Sequence, residues 1–198
     1  MTPVADPLLL ASASPRRREL LEQVQLVFEV APMDVDETPL PGESPEALVE
    51  RLAIAKAEAA LERGTPGQWV LAADTVVALG DEALGKPVDF ADAEAMLQRL
   101  SGGEHRVVSG MALCRPGESM RACTVTTCVR MRPLTPSDIE RYWATGEPRG
   151  KAGAYAIQGR GAAFVEWIAG SYTNVVGLPL FELEQWLAAI PDPPPRRA

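Results

Sequence analysis

The side chains best suited to chemistry fall in a few short stretches, and the first, LLLASASPRRRELL (residues 8–21), places three cations where a helix begins. Leu8 to Leu10 is an apolar run that reads as a buried strand. Ser14 followed by Pro15 marks a helix start, because serine can cap free N–H groups and proline suits the first helical position. Arg16, Arg17 and Arg18 then crowd the first turn, which already carries partial positive charge and normally attracts acids. An anion resolves the conflict. Free backbone N–H groups, the hydroxyls of Ser12 and Ser14 and the guanidinium groups together form a phosphate cradle. The alternative is a solvated surface cluster. The position directly after a buried strand favours phosphate.

Further along, VDET carries Glu37 in a proline- and acid-rich loop with Asp34 and Asp36. Such carboxylates are either solvated or hard oxygen ligands for Mg²⁺, and the residues alone leave both open. Asp74-Thr75 follows the apolar run WVLAA and precedes Val76, Val77 and Leu79. A carboxylate embedded there faces a cleft or caps a turn; because a buried charge must be paired or bound, the cleft is favoured. Lys56 lies near the middle of a helical pattern, and Lys86 in a Gly-Lys-Pro turn; nothing local decides whether either is more than a solvated cation. In KAGAYAIQGRGAAFV (151–165), three glycines let backbone approach a ligand, while Tyr155 and Gln158 supply an aromatic face and an amide.

These groups need elements to hold them. A second strand is predicted over Leu26–Val30 with Phe28 inward, and a helix from Ser44-Pro45 to Gly64 with Leu48, Val49, Leu52, Ala55 and Ala59 on one face. Trp69–Ala73 reads as a central strand buried on both faces. Asp92–Leu100 is a helix stopped by Gly102-Gly103, and His105–Cys114 with Met120–Met131 is a long antiparallel hairpin. Thr135-Pro136-Ser137-Asp138 opens another helix, a last one covers Phe181–Leu187, and the proline- and arginine-rich tail 191–198 is expected to be disordered.

Composition excludes several classes. The chain has 198 residues, 46% of them hydrophobic, enough for one core or for one domain of two lobes around a cleft. Its three cysteines, Cys114, Cys123 and Cys128, have neither disulfide-framework nor zinc spacing and read as buried free thiols. No apolar run reaches the roughly 20 residues a membrane span needs, and residues 1–7 lack the layout of a secretory signal, so a cytoplasmic location is expected. A net charge of −8 disfavours broad attachment to nucleic acid. His105 is the only histidine; it reads as a strand residue rather than a base, which leaves histidine-paired zinc and Ser–His–Asp chemistry poorly supported.

Taken together, SASPRRREL, VDET, AADTVV, LGKP and KAGAYAIQG, in this order from about Leu8 to Leu187, resemble the Maf family of nucleoside triphosphate pyrophosphatases. The resemblance implies a mixed α/β fold of the Maf/Ham1, ITPase-like kind: a long twisted sheet with flanking helices and a central nucleotide-binding cleft, forming a single domain over 1–190. It also implies a cytoplasmic homodimer, dependence on a divalent cation, Mg²⁺ or Mn²⁺, and hydrolysis of a nucleoside triphosphate to the monophosphate and pyrophosphate.

Position by position, the family motif puts Ser12, Arg16 and Arg17 at the substrate phosphates and matches Glu37, Lys56, Asp74 and Lys86 to its other polar cleft positions. Asp74 corresponds to the proton acceptor, and Glu37 and Asp74 can hold the metal. Arg16, Thr75 and Gln158 match specificity positions. A-G-A-Y-x-I-Q-G resembles the branch acting on dTTP and UTP, whereas a branch acting on 7-methyl-GTP carries an acid in place of the glutamine. A purine or 7-methyl-GTP pyrophosphatase is the nearest alternative, and a nucleotide-binding regulator of septum formation the alternative of another class. Arg18 and the tail lie outside the family pattern.

Overall fold

The computed structural model describes residues 6–65 and 67–197. In chain order it contains β1 (Leu8–Leu10), α1 (Pro15–Gln23), β2 (Phe28–Val30), α2 (Pro45–Leu61), β3 (Val70–Leu79), β4 (Glu82–Leu84), α3 (Phe90–Leu100), β5 (Glu104–Cys114), β6 (Arg121–Met131) and α4 (Pro136–Ala144). Two 3-10 turns (Ala152–Ala154 and Gly159–Phe164), β7 (Val165–Ala169), α5 (Tyr172–Val176) and α6 (Leu180–Ala188) complete it. One mixed seven-stranded sheet runs β2-β1-β3-β5-β6-β7, with β4 also against β3. β1 is parallel to β2 and β3, and every other pairing is antiparallel. The expected mixed α/β fold with flanking helices is therefore present.

β3 determines where a site can form. One edge pairs with β5 from Val70↔Cys114 to Ala78↔Arg106, including Asp74↔Gly110 and Thr75↔Ser109. The other edge pairs with β1 only at Val70 and Leu71, and with β4 only from Val77 onward. Asp74 and Thr75 fall in the interval between. Side chains there meet the carboxyl end of β1, the place where open α/β sheets leave a crevice for a ligand.

Helices cover both faces. On one, α2 packs Leu48, Val49, Leu52, Ala53, Ala57 and Ala60 over β3 and β5, where Ala72, Ala78 and Ala112 let the helix come close. The other face carries α1, α5 and α6 over Leu8, Leu10, Leu71 and Met111, and α3 and α4 over Val77, Val107, Val129 and Met131. The buried stripe of α2 differs from the expected one: Ala55 and Ala59 are only half-buried, and Lys56 lies inside. Alanines at 53, 57 and 60 are fully buried against the sheet, so the helix is rotated toward them.

Three local features depart from the sequence expectations. α3 begins at Phe90, capped by the Asp89 side chain accepting from Asp92 N; β4 and α5 form short elements of their own, α5 capped by Ser171. The tail is not disordered over 191–197. Pro195 O accepts from Val27 N, Arg197 N donates to Gln25 O, and Asp192 O accepts from Trp69 Nε1. Prolines lack an N–H but keep their carbonyls, and that of Pro195 satisfies Val27 N just before β2. Ala198 and residues 1–5 lie outside the described residues, and with them part of the tail and most of the leader segment assessed above. The cysteines are unpaired, as expected, but only Cys114 is fully buried. No described helix is long and apolar enough to cross a membrane.

Gly110 is the point of closest approach between α2 and the sheet. A Cβ there would stand 2.1 Å from Val49 O, so Gly110→Ala must push α2 off β5. We predict a loss of roughly 1–3 kcal/mol or more in urea denaturation, the scale of overpacking a close-packed interior. An unchanged midpoint would show that α2 is free to slide.

Candidate active site

β1 delivers the chain to a turn, Ala11–Ser14, from which α1 starts. Ser14 caps the helix with its backbone alone; its own N–H donates to Ser12 Oγ at 3.2 Å. Ser12 Oγ also accepts from Arg17 Nη1 at 2.9 Å. Both hydroxyl lone pairs are thus occupied and the proton is left for a ligand, which makes Ser12 a donor into the cleft.

Arg17 is only 9% exposed, on the inner side of α1. Its Nε donates to Gly177 O at 2.8 Å and its Nη2 to Thr75 Oγ1 at 3.2 Å. Every acceptor is a neutral oxygen, and among the described residues Arg17 has no ion-pair partner. Burial lowers its pKa, against the pull of Asp74 and Glu37, while Arg16 adds to the lowering. Half-buried Arg16 is lowered for the same first reason, desolvation. A guanidinium has five N–H donors, so two on Arg17 remain for an anion. Arg18 is exposed and does not line the cleft.

Facing these cations, the Lys56 ammonium is shared between two carboxylates, 2.6 Å from Glu37 Oε1 and 2.6 Å from Asp74 Oδ1. Lys56 is 7% exposed because its stem runs along the apolar face of α2. Its hydrogen bond is the main reason the Glu37 carboxyl lies below the ordinary range. Lys86 Nζ stands 3.9 Å from Glu37 Oε2. The loop carrying Glu37 is fastened by Arg51, which reaches both oxygens of Glu43 and Thr38 O.

A cleft of about 350 Å³ joins the two sides. Eight of the nine residues singled out in the sequence line it: Ser12, Arg16 and Arg17 from the α1 turn, Glu37, Lys56 and Lys86, and Asp74 with Thr75 from β3. Gln158 does not. It is half-buried at the cap of the second 3-10 turn, next to Ile157, which does line the cleft. Tyr155, expected to offer an aromatic face, does line the cleft, and so does Lys151, which sequence reasoning missed; it belongs to the KAGAY motif, the signal that could have found it. Lys151 is lowered by burial first and by Arg16 second. Behind Tyr155, His105 Nε2 is 2.7 Å from its hydroxyl, and burial pushes the imidazole down to about 4. A neutral histidine behind the wall supports Tyr155 and is no base for the cleft.

The sequence model of the family described as Maf-like protein matches residues 7–190. The chain belongs to that family. Among Maf-like relatives, a dTTP/UTP pyrophosphatase of Myxococcus xanthus is 52% identical over 96% of this chain and 96% of its own. Those of Symbiobacterium thermophilum and Aromatoleum aromaticum are 53% identical (91% of this chain, 92% of the relative) and 49% identical (98% and 100%). Among solved structures, the Staphylococcus aureus Ham1 protein is similar with a TM-score of 0.47 and 19% identity, over 64% of this chain and 72% of that one.

Replacing Lys56 by Met removes the cation that Glu37 and Asp74 share, so the two carboxylates are left to repel each other. Glu37, now held low chiefly by that lysine, should titrate at higher pH. A carbon-detected NMR titration of the Glu37 carboxyl checks this; an unmoved midpoint would assign its depression to other groups.

Proposed function

We propose that this Maf-like chain hydrolyses dTTP and UTP to the nucleoside monophosphate and pyrophosphate. The observation that carries this is the division of the cleft: buried, ion-pair-free Arg17 beside Arg16 and the Ser12 proton on one side, and the Glu37–Lys56–Asp74 cluster on the other. An anion completes the first side, and a water held by carboxylate the second. The names of relatives about half identical over nearly the whole chain support the pyrimidine triphosphates as substrates.

In this mechanism Arg16, Arg17 and Lys86 bind phosphate oxygens, and Ser12 donates its free proton to another. Asp74 Oδ1 is held by Lys56, while Oδ2 has no hydrogen bond to any described residue. Oδ2 orients a water for attack on the α-phosphorus and takes its proton as the new P–O bond forms. The bond from that phosphorus to the bridging oxygen breaks, and pyrophosphate leaves with the electron pair. Lys56 holds the Asp74 carboxylate in place through Oδ1.

A divalent cation fits as a site completed by substrate. Two carboxylates already converge on one cation, Lys56, and no cluster of three or more His, Cys, Asp or Glu side chains gathers among the described residues. Mg²⁺ is commonly bound by one or two carboxylates plus phosphate oxygens. Glu37 and Asp74 would hold it, and it would supply neutralisation of phosphate charge. EDTA is expected to abolish turnover and Mg²⁺ or Mn²⁺ to restore it; full activity after exhaustive chelation would contradict a metal.

The direct test is a panel of natural and modified triphosphates scored for pyrophosphate release, with Asp74→Asn alongside. UTP and dTTP should lead, and the variant should stay folded but lose at least ~10²-fold in turnover, the scale of a lost general base. Near-normal turnover in folded Asp74→Asn would remove Asp74 from the chemistry.

A further inference from the structure

Beneath the cleft floor a chain of hydroxyls leads away from Thr75. Thr75 Oγ1 is 2.8 Å from Ser109 Oγ, its cross-strand partner on β5, and Ser109 Oγ is 3.3 Å from Asn174 O in α5. Ser109 and Asn174 are both fully buried. Each hydroxyl has one proton, so the chain can be oriented in only two ways. Ser109 could donate to Thr75, with Thr75 donating to Gly177 O at 3.4 Å. That would strand the Asn174 carbonyl, because the N–H groups of Gly177 and Leu178, the two that could return to it, both go to Thr173 O. A buried carbonyl without a donor costs about 1–3 kcal/mol. Gly177 O, moreover, already accepts from Arg17 Nε at 2.8 Å. The opposite orientation satisfies both hydroxyls and the Asn174 backbone carbonyl: Ser109 donates to Asn174 O, and Thr75 donates to Ser109.

Thr75 Oγ1 then accepts from Arg17 Nη2, and one lone pair remains, on a half-exposed side chain of the cleft wall. We propose that Ser109 is a positioning residue that fixes the polarity of Thr75, so that Thr75 meets the nucleotide as a hydrogen-bond acceptor and selects for an N–H or O–H donor on the nucleoside. Ser12 and Thr75 thereby have opposite polarity although both touch Arg17: Ser12 offers a proton, suited to phosphate, and Thr75 a lone pair, which phosphate oxygens cannot use. Two groups on a pyrimidine nucleotide could supply the donor, the imide N3–H of the base and the 3′-hydroxyl of the sugar.

This rests on the pyrimidine triphosphate activity proposed above. The test compares kcat/KM for UTP, CTP, 3-methyl-UTP and 3′-deoxy-UTP in the full-length protein, in Ser109→Ala, in Thr75→Val and in the double variant. If the base supplies the donor, the wild type discriminates against CTP and 3-methyl-UTP by roughly tenfold or more, the worth of a mismatched buried pair. If the sugar does, the loss falls on 3′-deoxy-UTP. In either case Ser109→Ala, which frees the Thr75 proton to turn into the cleft, should narrow the affected ratio. It should narrow nothing further in the Thr75→Val background. A purely structural role for Ser109 would scale all substrates equally. Such equal scaling, or a wild type that accepts both kinds of analogue as well as UTP, overturns the proposal. Even should Ser109→Ala not fold, a wild type that accepts both kinds of analogue as well as UTP overturns the proposal. Absence of UTP cleavage by the wild type overturns the parent activity, whereas cleavage without discrimination overturns this inference alone.

Discussion

The site depends on a strand that is paired on one edge and open on the other. β3 keeps its ladder with β5 along nearly its whole length, which fixes the direction of every side chain, but between Leu71 and Val77 its second edge has no strand partner. Regular pairing there would have filled the space that Asp74 and Thr75 now face. The rigid edge gives precision and the open edge gives access, and two adjacent residues of one strand supply a carboxylate and a hydroxyl to the same cleft. Gly110, opposite Asp74, extends the arrangement through the sheet: the missing side chain lets Val49 of α2 close in, and Lys56, two turns further along that helix, reaches Asp74.

Charge placement follows from the same geometry. A buried ion needs partners. Lys56 has two carboxylates, which leaves the trio with one net negative charge. Arg17 has only neutral oxygens, which orient its guanidinium without cancelling its charge. The α1 terminus adds partial positive charge from the same direction. The cleft thus has one half that keeps a net negative charge and one that is complete only with an anion present, so a substrate's phosphates are drawn to the arginines and its scissile bond toward Asp74.

Much of this was legible in the sequence because it is local. SPRRR at a strand-to-helix turn announces a cation cluster by contradicting the usual charge preference of a helix start, and an acid within an apolar strand announces Asp74. Lys56 was legible in principle: it continues the series 49, 52, 53, 56, 57, 60, but expecting Ala55 and Ala59 inside turned the helix, so that only the family resemblance brought the lysine to the cleft. Ser109 was not legible, since a serine in an alternating hairpin acquires meaning only from the register that sets it opposite Thr75. The tail misled through composition, because proline and arginine suggest disorder and nothing local reveals that Val27, just before β2, has an N–H awaiting a carbonyl. Gln158, selected for its amide between glycines, is carried by its turn to a place beside the lining rather than in it.

The incomplete half of the cleft has a thermodynamic consequence for the empty protein. Burying Arg17 without a counter-charge lowers its pKa, which means that the folded state holds this cation less favourably than water does. Neutral acceptors make the arrangement tolerable and also immobilise the side chain before any ligand arrives, so little conformational entropy is left to lose on binding. An anion entering the cleft regains the missing Coulomb energy in a setting where water has already been removed. Its affinity then stabilises the fold by mass action. The stability sacrificed at Arg17 is what makes the cleft select for phosphate, and the neutral hydroxyls around it, Ser12 with a proton to give and Thr75 with a lone pair, separate the phosphate end of a nucleotide from the nucleoside end.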